Sequence, residues 1–171
     1  QIANFCATIA NRGYYITPHV VKSIKDTVYT DSAIVKHIPN IERRHFEAVA
    51  EGMRMAVTGG TCRRAALPDI EVCGKTGTAE SHGKDHSAFM GFAPYHNPKI
   101  AVCVYVENGG WGATYGVPIG SLVMEKYLKR TISPARKAME ESMINSNSIN
   151  TVESKNTNPL RYIDWFTVVL V

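Results

Sequence analysis

The chain has 171 residues, 44% of them hydrophobic, and a formal net charge of +4. One ordinary globular domain fits that length and composition, and wholesale disorder does not. The nineteen basic residues are scattered rather than gathered in a run, which excludes a nucleic-acid-binding stripe.

In chain order, Ile2, Phe5, Cys6 and Ile9 recur at helical spacing and predict a first helix that stops near Asn11-Arg12-Gly13. Gly13 suits a left-handed cap there. The helix opens without a capping residue or an initiator methionine, so the sequence is expected to continue upstream. Residues 14–18 read as a turn and 19–24 as a short strand. Further short strands are expected at 27–29 and 34–37. A second helix follows, with Asn40 as its cap and Glu42 at its positive end. Phe46, Val49, Ala50, Met53 and Val57 form its apolar stripe, and Gly59-Gly60 ends it.

Three strands come next, at about 70–80, 86–93 and 100–106, separated by turn-forming residues. Short turns between consecutive strands imply an antiparallel meander. The third strand is apolar at every position, so cover is expected on both faces. Glycines 109, 110, 112 and 116 predict a flexible loop. A helix then carries Pro118 in its first turn and an apolar face of Ile119, Leu122, Val123 and Tyr127, and ends near Arg130.

From 133 the composition changes. Residues 145–160 are rich in Asn, Ser and Thr and read as disordered. The division is thus a folded part at 1–132, a disordered linker at 133–160, and a short hydrophobic tail at 161–171. The tail's apolar run, Trp165 to Val171, is far shorter than the ~20 residues a membrane span needs. A truncated membrane segment and an exposed tail both fit it.

Cys6, Cys62, Cys73 and Cys103 show neither C-x-x-C nor zinc spacing. Cys6 and Cys103 lie in apolar segments and read as buried thiols. The reading includes no metal and no cofactor.

The informative stretch is Val72-Cys73-Gly74-Lys75-Thr76-Gly77-Thr78-Ala79-Glu80. Gly-Lys-Thr could end a phosphate loop, G-x-x-x-x-G-K-[ST], but Asp69 stands where the first glycine is required. Such a loop must also open a helix, and here a turn and another strand follow. Lys-Thr-Gly on an edge strand fits better. Alternation puts Lys75 and Thr76 on opposite faces, and both can serve one cleft if the strand borders it. Gly74 and Gly77 would let backbone and ligand approach. Lys75 could hold a carboxylate and the Thr78 N–H a developing oxyanion.

Ordered pieces of the chain resemble the transpeptidase domain of class B penicillin-binding proteins of the rod-elongation type. They are QIANFCATIANRG with Pro18-His19, the helix ending in Gly-Gly-Thr, GKTGTAE, DHSAFMGFAP, NPKIAVCVYVENGG, and the helix after Gly116. Together they cover about residues 1–130. The resemblance implies an α+β fold of the penicillin-binding/β-lactamase type, helices packed on an antiparallel sheet, with the N-terminal part of the domain lying outside this sequence. It implies a serine-type D-Ala-D-Ala transpeptidase that cross-links wall peptides during elongation. Lys75, Thr76, Gly77 and Thr78 carry over as substrate-binding residues, with Lys75 and the Thr78 backbone N–H also in catalysis. It implies stem peptides and β-lactams as ligands, a SEDS-type glycan polymerase and elongation proteins as partners, and the periplasmic side of a bacterial inner membrane. The tail, RYIDWFTVVLV, resembles the start of that polymerase's first membrane helix.

The same resemblance requires a serine nucleophile in S-x-x-K, opening a helix. Only Ser81-His82-Gly83-Lys84 has the spacing, and it reads as a turn after the Lys75 strand. The S-x-N motif has no counterpart in the right order. The chain by itself is therefore expected to be inactive. A β-lactamase or β-lactam-sensor relative and a non-catalytic interaction module are the alternatives. Asp85-His86 is expected to be structural at the cleft rim, Phe89, Met90 and Phe92 to be core, and Trp111 to line the cleft or pack.

Overall fold

A computed structural model describes residues 1–18, 35–80 and 82–146, and the backbone of 166–170. The elements in order are α1 (Ile2–Ala10), β1 (Tyr15–Ile16), β2 (Lys36–His37), α2 (Arg43–Thr58), β3 (Cys73–Ala79), β4 (His86–Ala93), β5 (Ile100–Val106), α3 (Gly116–Lys129), α4 (Lys137–Ile144) and β6 (Phe166–Leu170). β3 to β6 form one antiparallel sheet in that spatial order. β1 and β2 form a separate pair.

The β4 and β5 bounds are those the sequence predicts. β5 is covered on both faces, as its composition requires. Val102 and Ile100 join a core with Val117 and Met124 of α3, while Ala101 joins one with Cys6, Ala7 and Ile9 of α1. Phe89 and Phe92 are fully buried, on opposite sides of β4. Met90 is half-buried against the α1 cluster.

The first helix ends with Arg12 in the left-handed position, φ 59°, and Gly13, the expected cap, follows it at a positive φ of 113°. The Arg12 N–H donates to the Ile9 carbonyl and the Gly13 N–H to that of Thr8, the two bonds of a Schellman cap. The strain is offset by side-chain anchoring. Arg12 Nε donates to Glu47 at 2.8 Å, its other nitrogens reach the carbonyls of Ile9, Ala10 and Tyr95, and the guanidinium lies over the Phe92 and Tyr95 rings. Gly13 is needed for space as well, since a Cβ there would sit 2.9 Å from the Phe46 ring.

Other expectations shift. Residues 14–18 include β1 rather than a plain turn. Strands expected at 19–24 and 27–29 lie outside the described residues, and of 34–37 only Lys36–His37 is strand. α2 starts at Arg43 after Glu42, and Asn40 is not its cap. Val49 is exposed because only Phe46, Ala50, Met53 and Val57 face inward. α3 turns a different face to the sheet from the one expected. Val117, Gly120, Ser121, Met124 and Glu125 are buried with Leu122, while Ile119, Val123 and Tyr127 are only half-buried. Small residues win that face because the Phe89 ring occupies the space. A Cβ at Gly120 would fall 2.5 Å from it.

The linker does not begin at 133. Pro134–Arg136 is a 3-10 turn and α4 follows directly. Arg136 Nε lies 3.0 Å from Glu125 Oε2, and the Glu125 side chain is fully buried. That alignment falls short of a hydrogen bond, and neither atom has another such partner. Burial pulls the Arg136 guanidinium below its ordinary pKa, and Glu125 opposes the shift. The other Arg136 nitrogens donate to the Ala66 carbonyl at 3.0 Å and to Ser121. Charge, not apolar area, thus fastens this segment, which is why composition misses it. Within the expected tail, residues 166–170 form β6, a fourth strand along β5, rather than a loose end.

Candidate functional site

β3 is the outermost strand of its sheet, and its outer edge is unpaired among the described residues. Its start is locked in the core, with Cys73 and Gly74 buried, and its middle opens to solvent at Lys75 and Thr78. This strand continues through the glycines, a geometry that a phosphate loop does not have. Gly74 serves packing rather than ligand approach. The Phe89 ring fills the space where its Cβ would stand, 2.6 Å away.

The register fixes the faces. Lys75 is paired with Met90 and, one strand on, Cys103, on the α1 side. Thr76 is paired with Phe89 and then Val104, on the α3 side. A depression of about 220 Å³ lies along the Lys75 side, lined by Ile2, Lys75, Gly77, Ala88, Met90 and Cys103, among others. Lys75 Nζ is exposed and donates to the Thr76 carbonyl at 2.7 Å. The sequence-predicted residues therefore lie together on one accessible edge. An exposed ammonium and two hydroxyls there can donate to an anion.

Two segments support this edge in ways the sequence did not show. The first is Thr61, just beyond α2, whose hydroxyl lies 2.8 Å from that of Thr76. Next to it, buried Cys62 has its thiol pushed up by burial, while Thr61, the Thr76 backbone and Lys75 pull against that shift. The second is the glycine loop. It is seated on the sheet, since a Cβ at Gly112 would fall 2.5 Å from the Gly77 carbonyl oxygen. Buried Ser87 pins it, donating to the Trp111 carbonyl at 2.9 Å and accepting from the Gly116 N–H at 3.0 Å. Asp85 and His86 hold the same loop: the Asp85 carbonyl accepts from the Gly110 N–H and His86 Nδ1 from the Asn108 N–H. Trp111 itself is 78% exposed and does not pack. Four Gly positions in a loop suggested flexibility, but Gly112 and Gly116 have no room for a Cβ against the sheet backbone and Gly110 takes a positive φ of 67°.

Cys6, Cys62, Cys73 and Cys103 are free thiols, Cys103 half-exposed in the depression. Burial raises Cys73 to about 12 and pushes Cys6 higher still. These thiols are protonated at neutral pH and are not nucleophiles. Among the described residues no group of three or more His, Cys, Asp or Glu could hold a metal ion. Ser81, the one serine with S-x-x-K spacing, lies outside the described residues.

The profile of the penicillin binding protein transpeptidase domain matches residues 1–125. The peptidoglycan D,D-transpeptidase MrdA of Haemophilus influenzae is 31% identical over 159 residues, which cover 80% of this chain and 24% of that protein. The imipenem acyl-enzyme complex of penicillin-binding protein A from M. tuberculosis superimposes with a TM-score of 0.61 at 33% identity, over 74% of this chain and 29% of that one. A peptidoglycan synthase complex, solved to explain the coordination of polymerization and crosslinking, matches with a TM-score of 0.65 at 31% identity, over 77% of this chain and 23% of that one. The chain spans about a quarter of the length of the curated relative it matches. It belongs to the transpeptidase domain family of class B penicillin-binding proteins, in the penicillin-binding protein 2 type.

Proposed function

We propose that the chain supplies one wall of the acyl-transfer cleft of a peptidoglycan D,D-transpeptidase that cross-links wall peptides in cell elongation. The observation that carries this reading is the exposed Lys75-Thr76-Gly77-Thr78 edge on a strand whose other side is fixed in the core. Alternate residues of an edge strand turn their backbone groups outward. The Thr76 carbonyl does so to meet Lys75 Nζ, and Thr78, two residues on, follows. Its N–H is then a free donor for the oxyanion of a tetrahedral intermediate. Lys75 and the threonine hydroxyls hold the substrate carboxylate, and Gly77 admits the peptide backbone.

The serine that attacks the D-Ala-D-Ala carbonyl, and the lysine that takes its proton, come from outside this sequence. On this reading the chain alone does no acyl transfer. Stem peptides and β-lactams are the ligands. A SEDS-type glycan polymerase is the partner, in keeping with the synthase complex among the structural relatives, and the site works on the outer side of a bacterial inner membrane. No helix among the described residues is long and apolar enough to cross a membrane.

Fluorescent penicillin tests the proposal. The purified chain should form no covalent adduct, whereas the chain joined to a segment supplying the serine and lysine should form one. In that joined protein Lys75→Ala should slow acylation by roughly 10- to 100-fold, the equivalent of one lost charge-assisted hydrogen bond. An adduct on the chain alone, or an unchanged rate in the Lys75 variant, would refute it.

A further inference from the structure

The contact between Thr61 and Thr76 has a direction that matters for the site, and the inference rests on the cleft reading above. A hydroxyl has one proton to donate and lone pairs to accept with. A carboxylate only accepts. If Thr76 donates to a bound carboxylate, its oxygen can accept from Thr61, 2.8 Å away, and both protons are then used. We propose that Thr61 is a positioning residue that makes Thr76 a dedicated donor toward the carboxylate of the ligand.

Three observations fix Thr61 for that task. Its segment leaves α2 through two bonds to the Ala56 carbonyl, from the N–H groups of Gly60 at 3.2 Å and Cys62 at 2.9 Å. Gly60 packs against that turn, and a Cβ on it would fall 2.9 Å from the Ala56 Cα. Further along, Arg136 holds the Ala66 carbonyl, and Arg64 Nη1 donates to Ala113 of the glycine loop at 3.3 Å. On the other side of Thr61 is the Cys62 sulfur, 4.0 Å from its oxygen. Either atom of that contact can donate, and at this length it competes weakly with the 2.8 Å contact to Thr76. The donors toward the anion are then Thr61 and Thr76, and the first bond polarises the second.

Thr61 is exposed, so its hydroxyl is not required to fill a buried position. An exposed hydroxyl pair adds little to stability, because water replaces it. Its effect should instead show on ligands that carry a carboxylate.

The test uses the joined protein described above, with a penicillin and the methyl ester of its carboxylate as probes. Thr61→Val should slow acylation by the free acid roughly three- to tenfold, the size of one hydrogen bond between neutral groups, and leave the ester unchanged. Thr61→Ser should restore the rate to within about twofold, because it keeps the donor. Equal rates for Thr61→Val and the unsubstituted protein on the free acid would overturn the proposal. Equal losses on acid and ester would also overturn it, since a structural defect does not distinguish them. If the unsubstituted protein is acylated by neither probe, the transpeptidase reading fails, and a second measurement decides this one. An NMR titration of the chain with D-alanyl-D-alanine should perturb the Thr76 and Thr78 amides, and Thr61→Val should weaken that binding roughly three- to tenfold. A titration that is insensitive to Thr61, or to amidation of the dipeptide carboxylate, counts against it.

Discussion

The two faces of the sheet are finished to different degrees. On the α3 face, Phe89 is fully buried among Gly74, Gly91, Gly116 and Gly120, where an added Cβ would collide with its ring or backbone. On the α1 face, Cys6, Ala7 and Ile9 are buried, but Ile2 and Phe5 of the same helix are more than half exposed beside the Lys75 depression. The difference separates what holds the chain together from what it offers. The closed face builds a rigid bed, and the open face carries the ammonium and an apolar rim with room for another wall.

Substitutions can break that contrast. The largest effect is expected at Arg136, whose loss leaves the fully buried Glu125 carboxylate without its counter-charge. Arg136→Ala should lower stability by about 3–5 kcal/mol in urea unfolding, and a loss below about 1 kcal/mol would show that the pair is not needed. Next comes Gly120→Ala, which forces a methyl into the Phe89 ring and should cost about 1–3 kcal/mol. The smallest effect belongs to the open face. Changing both Ile2 and Phe5 to Ser should leave unfolding within about 0.5 kcal/mol per site while reducing self-association in sedimentation. A large destabilisation there would mean that the α1 face is as closed as the other.

How legible this was depends on the kind of signal. β4 and β5 were read to the residue because alternating or continuous apolar runs are bounded by Asp85, Pro94, Pro98 and Asn108-Gly109. The Lys75 edge was readable because motif and strand coincide. What composition could not show was polar and three-dimensional. Arg12 takes a backbone position that favours glycine because Glu47, Phe92 and Tyr95, all far away in sequence, hold its side chain. Arg136 fastens a segment that looks like linker. α3 buries Gly120 and Ser121 in preference to Ile119 and Val123 because the partner ring, not the helix, decides which face is tight. Thr61 closes the Gly-Gly-Thr piece seen in the sequence, but only its proximity to Thr76 gives it a role.

The open edge of β3 has a second consequence. A bare edge strand is a template on which other chains can add, and natural sheets often guard such edges with lysine. Lys75 stands on that edge with its charge in water. The same ammonium that we propose holds a ligand would thus also guard this edge, unpaired among the described residues, against fibril-like stacking. Neutralising it would strip both protections at once, so a silent Lys75 variant has to be shown to be monomeric before its silence is ascribed to chemistry.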